Sequence, residues 1–223
     1  MPFHDIDLAA RIDRLESLDA IRQLASRYAF AIDVRDLDAV VALYVDDAKA
    51  GPGARGRAAL REVFDSVLRT FGTTSHQVQN HVIDFRDADH AQGLVSCRCE
   101  HEVEAPDGAL HWVVVQNVYH DRYERRGGHW YFGARVQHRI YATALDDPPV
   151  GPYKLRWPGE PPARATFHDA FACWQAFWQG VAEGTALAPW GPDSPFVTRL
   201  RRSERLPPLA GHISAAHRRA AQD

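Results

Sequence analysis

The chain has 223 residues, 45% of them hydrophobic and 25% charged, with a formal net charge of −3. That balance excludes a general nucleic-acid binder, whose mark is a strong basic excess, and a disordered chain, which lacks apolar residues. The length suits one domain of about 150 residues plus an extension, or one larger domain. No apolar run approaches the roughly 18 residues that a membrane span needs. The opening MPFHDIDLAARIDRLES is charged and lacks a signal-peptide core, so a cytoplasmic location and no membrane partner are expected. Cys97 and Cys99 share one face of a strand and Cys173 is remote. These read as buried thiols in a reducing compartment, without disulfides or a metal site.

Leu8, Ile12, Leu15, Leu18, Ile21, Leu24, Ala25, Tyr28 and Ile32 recur at threes and fours and predict a helix over residues 5–33. A second helix is predicted over 35–48, with Asp36 as N-cap. AGPGARGR is a turn-rich break. A third helix is expected over 57–72, with Gly72 as its stop. The period then changes from 3.6 to 2. Residues 74–85, 92–104, 110–125 and 129–142 read as strands, separated by RDADH, APDGA and RRGGH. Helices first and a long meander after them mean α+β: three helices on one face of a bent antiparallel sheet. Residues 1–145 form this domain. Residues 146–223 are a proline- and aromatic-rich extension, with an aromatic helix over 165–184 and a basic, poorly patterned end. It acts as a lid or a subunit contact, since so much aromatic surface must cover something.

TSHQVQNHVIDF, residues 74–85, carries His76 and His81 at odd spacing. The pleat would send them to opposite faces. His76 is expected to face the interior, and His81 to face outward or into a subunit contact. Asp33 ends an apolar helix face, where a buried carboxylate needs a partner. A histidine against that carboxylate is held in one tautomer, with its charged form stabilised, and suits proton transfer near neutral pH. His111, His120, His129 and His138 lack metal-ligand spacing, so no metal is expected.

AIRQLASRYAFAIDVRDLDAVVALYVDDA, TSHQVQNHVIDF and YERRGGHWYFGARVQHRIY together resemble the SnoaL-like branch of the nuclear transport factor 2-like superfamily, over about residues 15–142. The resemblance implies a cone-shaped α+β barrel around a deep pocket. It also implies the chemistry of scytalone dehydratase, bile acid 7α-dehydratase and dehydrochlorinase relatives: proton abstraction and loss of a leaving group, without metal or organic cofactor. Carried over residue by residue, it assigns Asp33 and His76 as the dyad, Tyr28 and Arg135 as electrophilic helpers, and His101 and Asn117 as substrate contacts. The expected protein is a cofactor-independent lyase, a dehydratase acting on a hydrophobic hydroxylated small molecule of polyketide, steroid or terpenoid type. The alternatives are an isomerase or cyclase using the same dyad, or a non-catalytic binding or assembly module of the same fold. A homo-oligomer, dimer or trimer, is expected through the outer sheet face, because HWVVVQNVYH and HWYFGARVQH carry bulky groups on both faces.

Overall fold

The computed structural model describes residues 8–145, 150–153, 161–164, 168–182, 185, 187, 191, 193 and 194. Helix α1 (Leu8–Asp33) buries Ile21, Leu24, Ala25, Ala29 and Ile32, so its apolar stripe faces the sheet along its C-terminal half. Asp36 caps the next helix, α2 (Leu37–Ala42), by accepting the Ala39 N–H at 3.0 Å. α2 is shorter than the sequence implied. After it the chain docks onto the sheet instead of continuing as helix: Val45 N donates to Phe132 O at 3.0 Å and Phe132 N to Leu43 O at 2.8 Å. The turn-rich break folds into a small hairpin, β1 (Lys49–Gly51) with β2 (Ala54–Arg55). Helix α3 (Arg57–Leu68) buries Leu60, Phe64, Val67 and Leu68. It stops at Leu68, before Gly72. Gly72 serves a close approach rather than a helix cap: its N–H bonds to Glu102 O at 3.0 Å, and a Cβ there would meet the Glu102 side chain at 3.0 Å.

Four long strands follow, β3 (Thr74–Phe85), β4 (His90–Glu104), β5 (Leu110–Arg126) and β6 (His129–Ala144), antiparallel and in chain order. The sheet face that carries Val95, Cys97 and Cys99 is turned to the core. The helices cover it, and the segment after α2 bridges to β6. The result is the expected cone-shaped α+β architecture.

One expectation about the sheet fails. His76 pairs with Cys99, Val78 with Cys97, but His81 with Val95. From Val78 to His81 β3 advances three residues while β4 advances two, which is a bulge. An extra residue reverses the alternation beyond it. His81 therefore lies on the same inner face as His76, and its Nε2 meets Tyr123 Oη at 2.9 Å. It does not face outward.

Of the extension, residues 168–170 form a 3₁₀ turn and Ala172–Phe177 form helix α4. The expected aromatic helix is thus short; residues 165–167, 183 and 184 lie outside the described residues, as do the proline-rich 154–160 and the basic end 195–223. Phe177 joins the main core, and Trp174 and Phe177 lie over the Arg35 guanidinium at 5.2 and 5.8 Å. These two rings stack on the arginine that braces the site described next.

Candidate active site

Asp33 is the last residue of α1 and is 7% exposed. Helix α1 points it at the start of β3. Its Oδ1 lies 2.6 Å from His76 Nδ1, and its Oδ2 accepts the His76 backbone N–H at 2.7 Å. Oδ1 also accepts the Thr74 hydroxyl at 2.9 Å. Thr74 and His76 are two apart on β3, so the pleat puts both side chains on the face that meets α1. Arg35 locks the joint from behind. It adopts φ 61°, unusual for a non-glycine, and its guanidinium donates to Thr74 Oγ1 at 2.8 Å, Ile32 O at 2.8 Å and Gly72 O at 2.6 Å. Such a conformation persists only where surrounding contacts hold it.

Burial opposes a charge on the His76 ring. The neighbouring Cys99 sulfur and the Asp33 carboxylate outweigh it and raise the pKa to about 10. Burial likewise acts to raise Asp33, and His76 more than reverses this, holding the carboxyl below its ordinary value. The geometry and charges thus favour a carboxylate–imidazolium pair. Cys99 belongs to this setting: its sulfur lies 3.1 Å from the donating Asn117 Nδ2 and 3.6 Å from Cys97 Sγ.

His76 lines a cavity of about 550 Å³ inside the cone. Tyr28, Tyr119, His101 and Arg135 line it too. The His101 ring sits edge-on to His76, with centroids 5.7 Å apart, and packs on Phe71 at 4.7 Å. Burial, and then the charge of His76, push its pKa down to about 4, so it is neutral beside the charged ring. Arg135 lies across the sheet on β6. Asp121, 0% exposed, grips it with two bonds of 2.9 and 2.7 Å. Tyr123 donates to the same carboxylate at 2.9 Å, and His81 stands behind Tyr123. The guanidinium is boxed by the rings of Tyr28, Tyr119 and Phe132 at 4.3–4.5 Å. Burial opposes its charge, and Asp121 outweighs burial to hold it on.

The structure therefore brings together Asp33, His76, Tyr28, Arg135 and His101. Asn117 is fully buried behind the cavity wall, on Cys99, and does not line the cavity. Sequence reasoning missed Thr74, Arg35 and Asp121. Thr74 had a usable signal, its i−2 spacing from His76. Arg35 and Asp121 had none, because their roles depend on contacts 39 and 14 residues away in sequence.

Residues 13–136 match the profile of the SnoaL-like domain. No curated protein matches the chain in sequence. Among solved structures, the chain is similar to a hexachlorocyclohexane dehydrochlorinase (LinA type 2), at 26% identity and a TM-score of 0.56, over 67% of this chain and 99% of that one. The type 3 enzyme from Novosphingobium barchaimii also matches, at 26% identity and a TM-score of 0.55, over 61% and 95% of the two chains. A Novosphingobium aromaticivorans protein named as a putative scytalone dehydratase shares the fold, at 23% identity and a TM-score of 0.52, over 61% and 92%. No described helix is long and apolar enough to cross a membrane.

Proposed function

The chain belongs to the SnoaL-like family, and from that premise we propose that it is a cofactor-independent lyase, a dehydratase acting on a hydrophobic hydroxylated small molecule of polyketide, steroid or terpenoid type. One observation carries the reading: a histidine lining the cavity is fixed through its Nδ1 and its own backbone N–H by one buried carboxylate. Besides joining α1 to β3, that arrangement fixes and charges an imidazole on the cavity wall, which a cone that only held a ligand does not need. Similarity to dehydrochlorinases, which are eliminating enzymes by name, supports it.

With Nδ1 engaged by Asp33, Nε2 is the nitrogen we assign to the proton transfer. In the proposed reaction it takes the proton from a carbon next to a carbonyl. The C–H electron pair becomes the new double bond and the C–O bond breaks. The departing hydroxide takes the proton back from His76 and leaves as water, so the ring returns to its starting state. Tyr28 donates a hydrogen bond to the carbonyl oxygen. Arg135, 4.5 Å over the Tyr28 ring, strengthens that donor by its charge.

A second allocation of roles is favoured by the opposite charge states of the two histidines. Charged His76 would protonate the leaving hydroxyl while neutral His101 takes the carbon proton, following the rule that environments which split two pKa values mark an acid and a base. The two allocations give opposite pH profiles. The elimination itself is tested by mass spectrometry on a panel of β-hydroxy ketones and hydroxylated polycyclic ketones. Loss of one water with the wild type, and not with His76→Ala, supports it. Absence of water loss across the panel, or equal loss with His76→Ala, contradicts it.

A further inference from the structure

We infer that α4 and the 3₁₀ turn before it form a positioning element for the Asp33–His76 pair, acting from behind the cavity through Arg35 and Thr74. The extension then completes the site rather than only covering it. This rests on that pair being the reacting pair proposed above, and it gives the extension a part in the same chemistry.

The extension reaches the pair from the rear. Among the described residues, none after Arg139 lines the cavity that holds the His76 ring. Trp174 and Phe177 are three apart on α4 and share one side of it. The His168 ring packs on the Trp174 ring, with centroids 4.5 Å apart, so turn and helix offer one aromatic surface. That surface makes two kinds of contact. The Trp174 and Phe177 rings lie over the Arg35 guanidinium at 5.2 and 5.8 Å. His168 Nε2 lies 3.2 Å from Thr74 O. A carbonyl oxygen only accepts, so Nε2 carries the proton and donates it.

Both contacts converge on Thr74. Arg35 donates to its Oγ1, and its hydroxyl donates to Asp33 Oδ1. Thr74 is thus held at its carbonyl by the extension and at its hydroxyl by Arg35, two residues before His76. Thr74 is 0% and Arg35 2% exposed. Burial pulls the Arg35 pKa down to about 10, with the charge of Asp33 opposing it, so the guanidinium is charged at neutral pH. A cation taken from water needs anions, acceptors or ring faces in its place, and α4 supplies two faces. Of the titratable groups around the His76 ring, Cys99 and His101 come from β4, and Tyr28 and Arg135 line the same cavity. α4 bears on Asp33 and Arg35. Loosening its grip admits water to an ion pair whose attraction depends on a low dielectric, and His76 then moves back toward its ordinary value.

The test follows the ring of His76 by nuclear magnetic resonance in the full chain with isotope-labelled histidine, the His76→Gln variant identifying its signal. The wild-type ring is expected to titrate near 10. Trp174→Leu removes a ring from Arg35, and His168→Ala removes the donor to Thr74. Each should bring the titration down by about one pH unit or more, which is about ten-fold in proton affinity. His168→Gln keeps a side-chain N–H donor and should stay near wild type. Trp178→Leu leaves both rings over Arg35 in place and should match wild type. Either Trp174→Leu or His168→Ala, folded and titrating as wild type, would overturn the inference. So would Trp178→Leu moving as far as Trp174→Leu, or His168→Gln as far as His168→Ala. A helix that only adds stability lowers the melting temperature when altered and leaves this titration unmoved. The two contacts are separate, so a variant that fails to fold leaves the other to decide. No substrate is present, so absence of water loss would leave this result standing, and an unmoved titration leaves water loss intact.

Discussion

One carboxylate, Asp33, holds His76 at two points: the ring Nδ1 at 2.6 Å and the backbone N–H at 2.7 Å. The second contact ties the end of α1 to the start of β3. The pair is therefore also a structural joint, and its protonation is linked to stability.

The linkage has a definite sign. The pKa of His76 is raised from 6.5 to about 10 by folding. Its contribution is complete below about 6.5 and lost as pH rises through about 10. Asp33 is lowered from 3.8, so its contribution is present above that value and lost as acid protonates it. Melting temperatures measured from pH 5 to 10.5 should fall on the alkaline side. That alkaline fall should be absent in His76→Gln. A wild type and a variant with parallel profiles would show that His76 is not charged in the folded state.

Asp121 and Arg135 form a second buried pair. Asp121→Asn leaves the guanidinium buried among three rings without its counter-charge, which costs about 3–5 kcal/mol. Urea unfolding should show that loss. The double variant Asp121→Asn/Arg135→Met should recover part of it, because both charges are then gone. A loss below about 1 kcal/mol for Asp121→Asn would mean that water reaches the pair, as at an exposed ion pair.

Gly93 and Gly133 make a matched comparison. A Cβ at Gly93 would meet the Val82 carbonyl oxygen at 2.5 Å, and Tyr123 behind it. A Cβ at Gly133 would meet the Glu124 carboxylate at the same distance. Backbone cannot step aside, and a glutamate side chain can. Gly93→Ala should cost about 1–3 kcal/mol as overpacking does, with Gly133→Ala costing clearly less. Equal losses in urea would contradict the register between β3 and β4.

The pH profile of turnover separates the two allocations. If His76 is the base, kcat/KM rises with pH toward about 10, since only the neutral ring accepts a proton. If charged His76 is the acid and His101 the base, kcat/KM is level at neutral pH, falls near 10 as His76 loses its proton, and falls near 4 as His101 gains one. We predict the rising profile.

The sheet and the three helices were legible because their periodicities are long and clean. The expected 74–85 strand matches β3 at both ends. Asp36 was readable as a cap because capping is local. The bulge in β3 was not, since VQN offers no glycine to mark it, and it is the partner strand that reveals the extra residue. His81 was misplaced for that reason alone. Asp33 and His76 were found by resemblance and by the need of a buried carboxylate for a partner. Arg135 was found as well, but its bond to Asp121 is a tertiary contact between β5 and β6 and recasts it from a free electrophile to a braced one.

The central claim is that the Asp33–His76 pair moves the proton in an elimination. It is tested most directly by following water loss from hydroxylated ketones by mass spectrometry with wild type, His76→Ala and Asp33→Asn, each checked for folding by circular dichroism. Wild type is expected to release one water per substrate. A folded His76→Ala should be slower by about 10²–10⁴-fold, and Asp33→Asn should be impaired as well. Turnover in His76→Ala equal to wild type would contradict it.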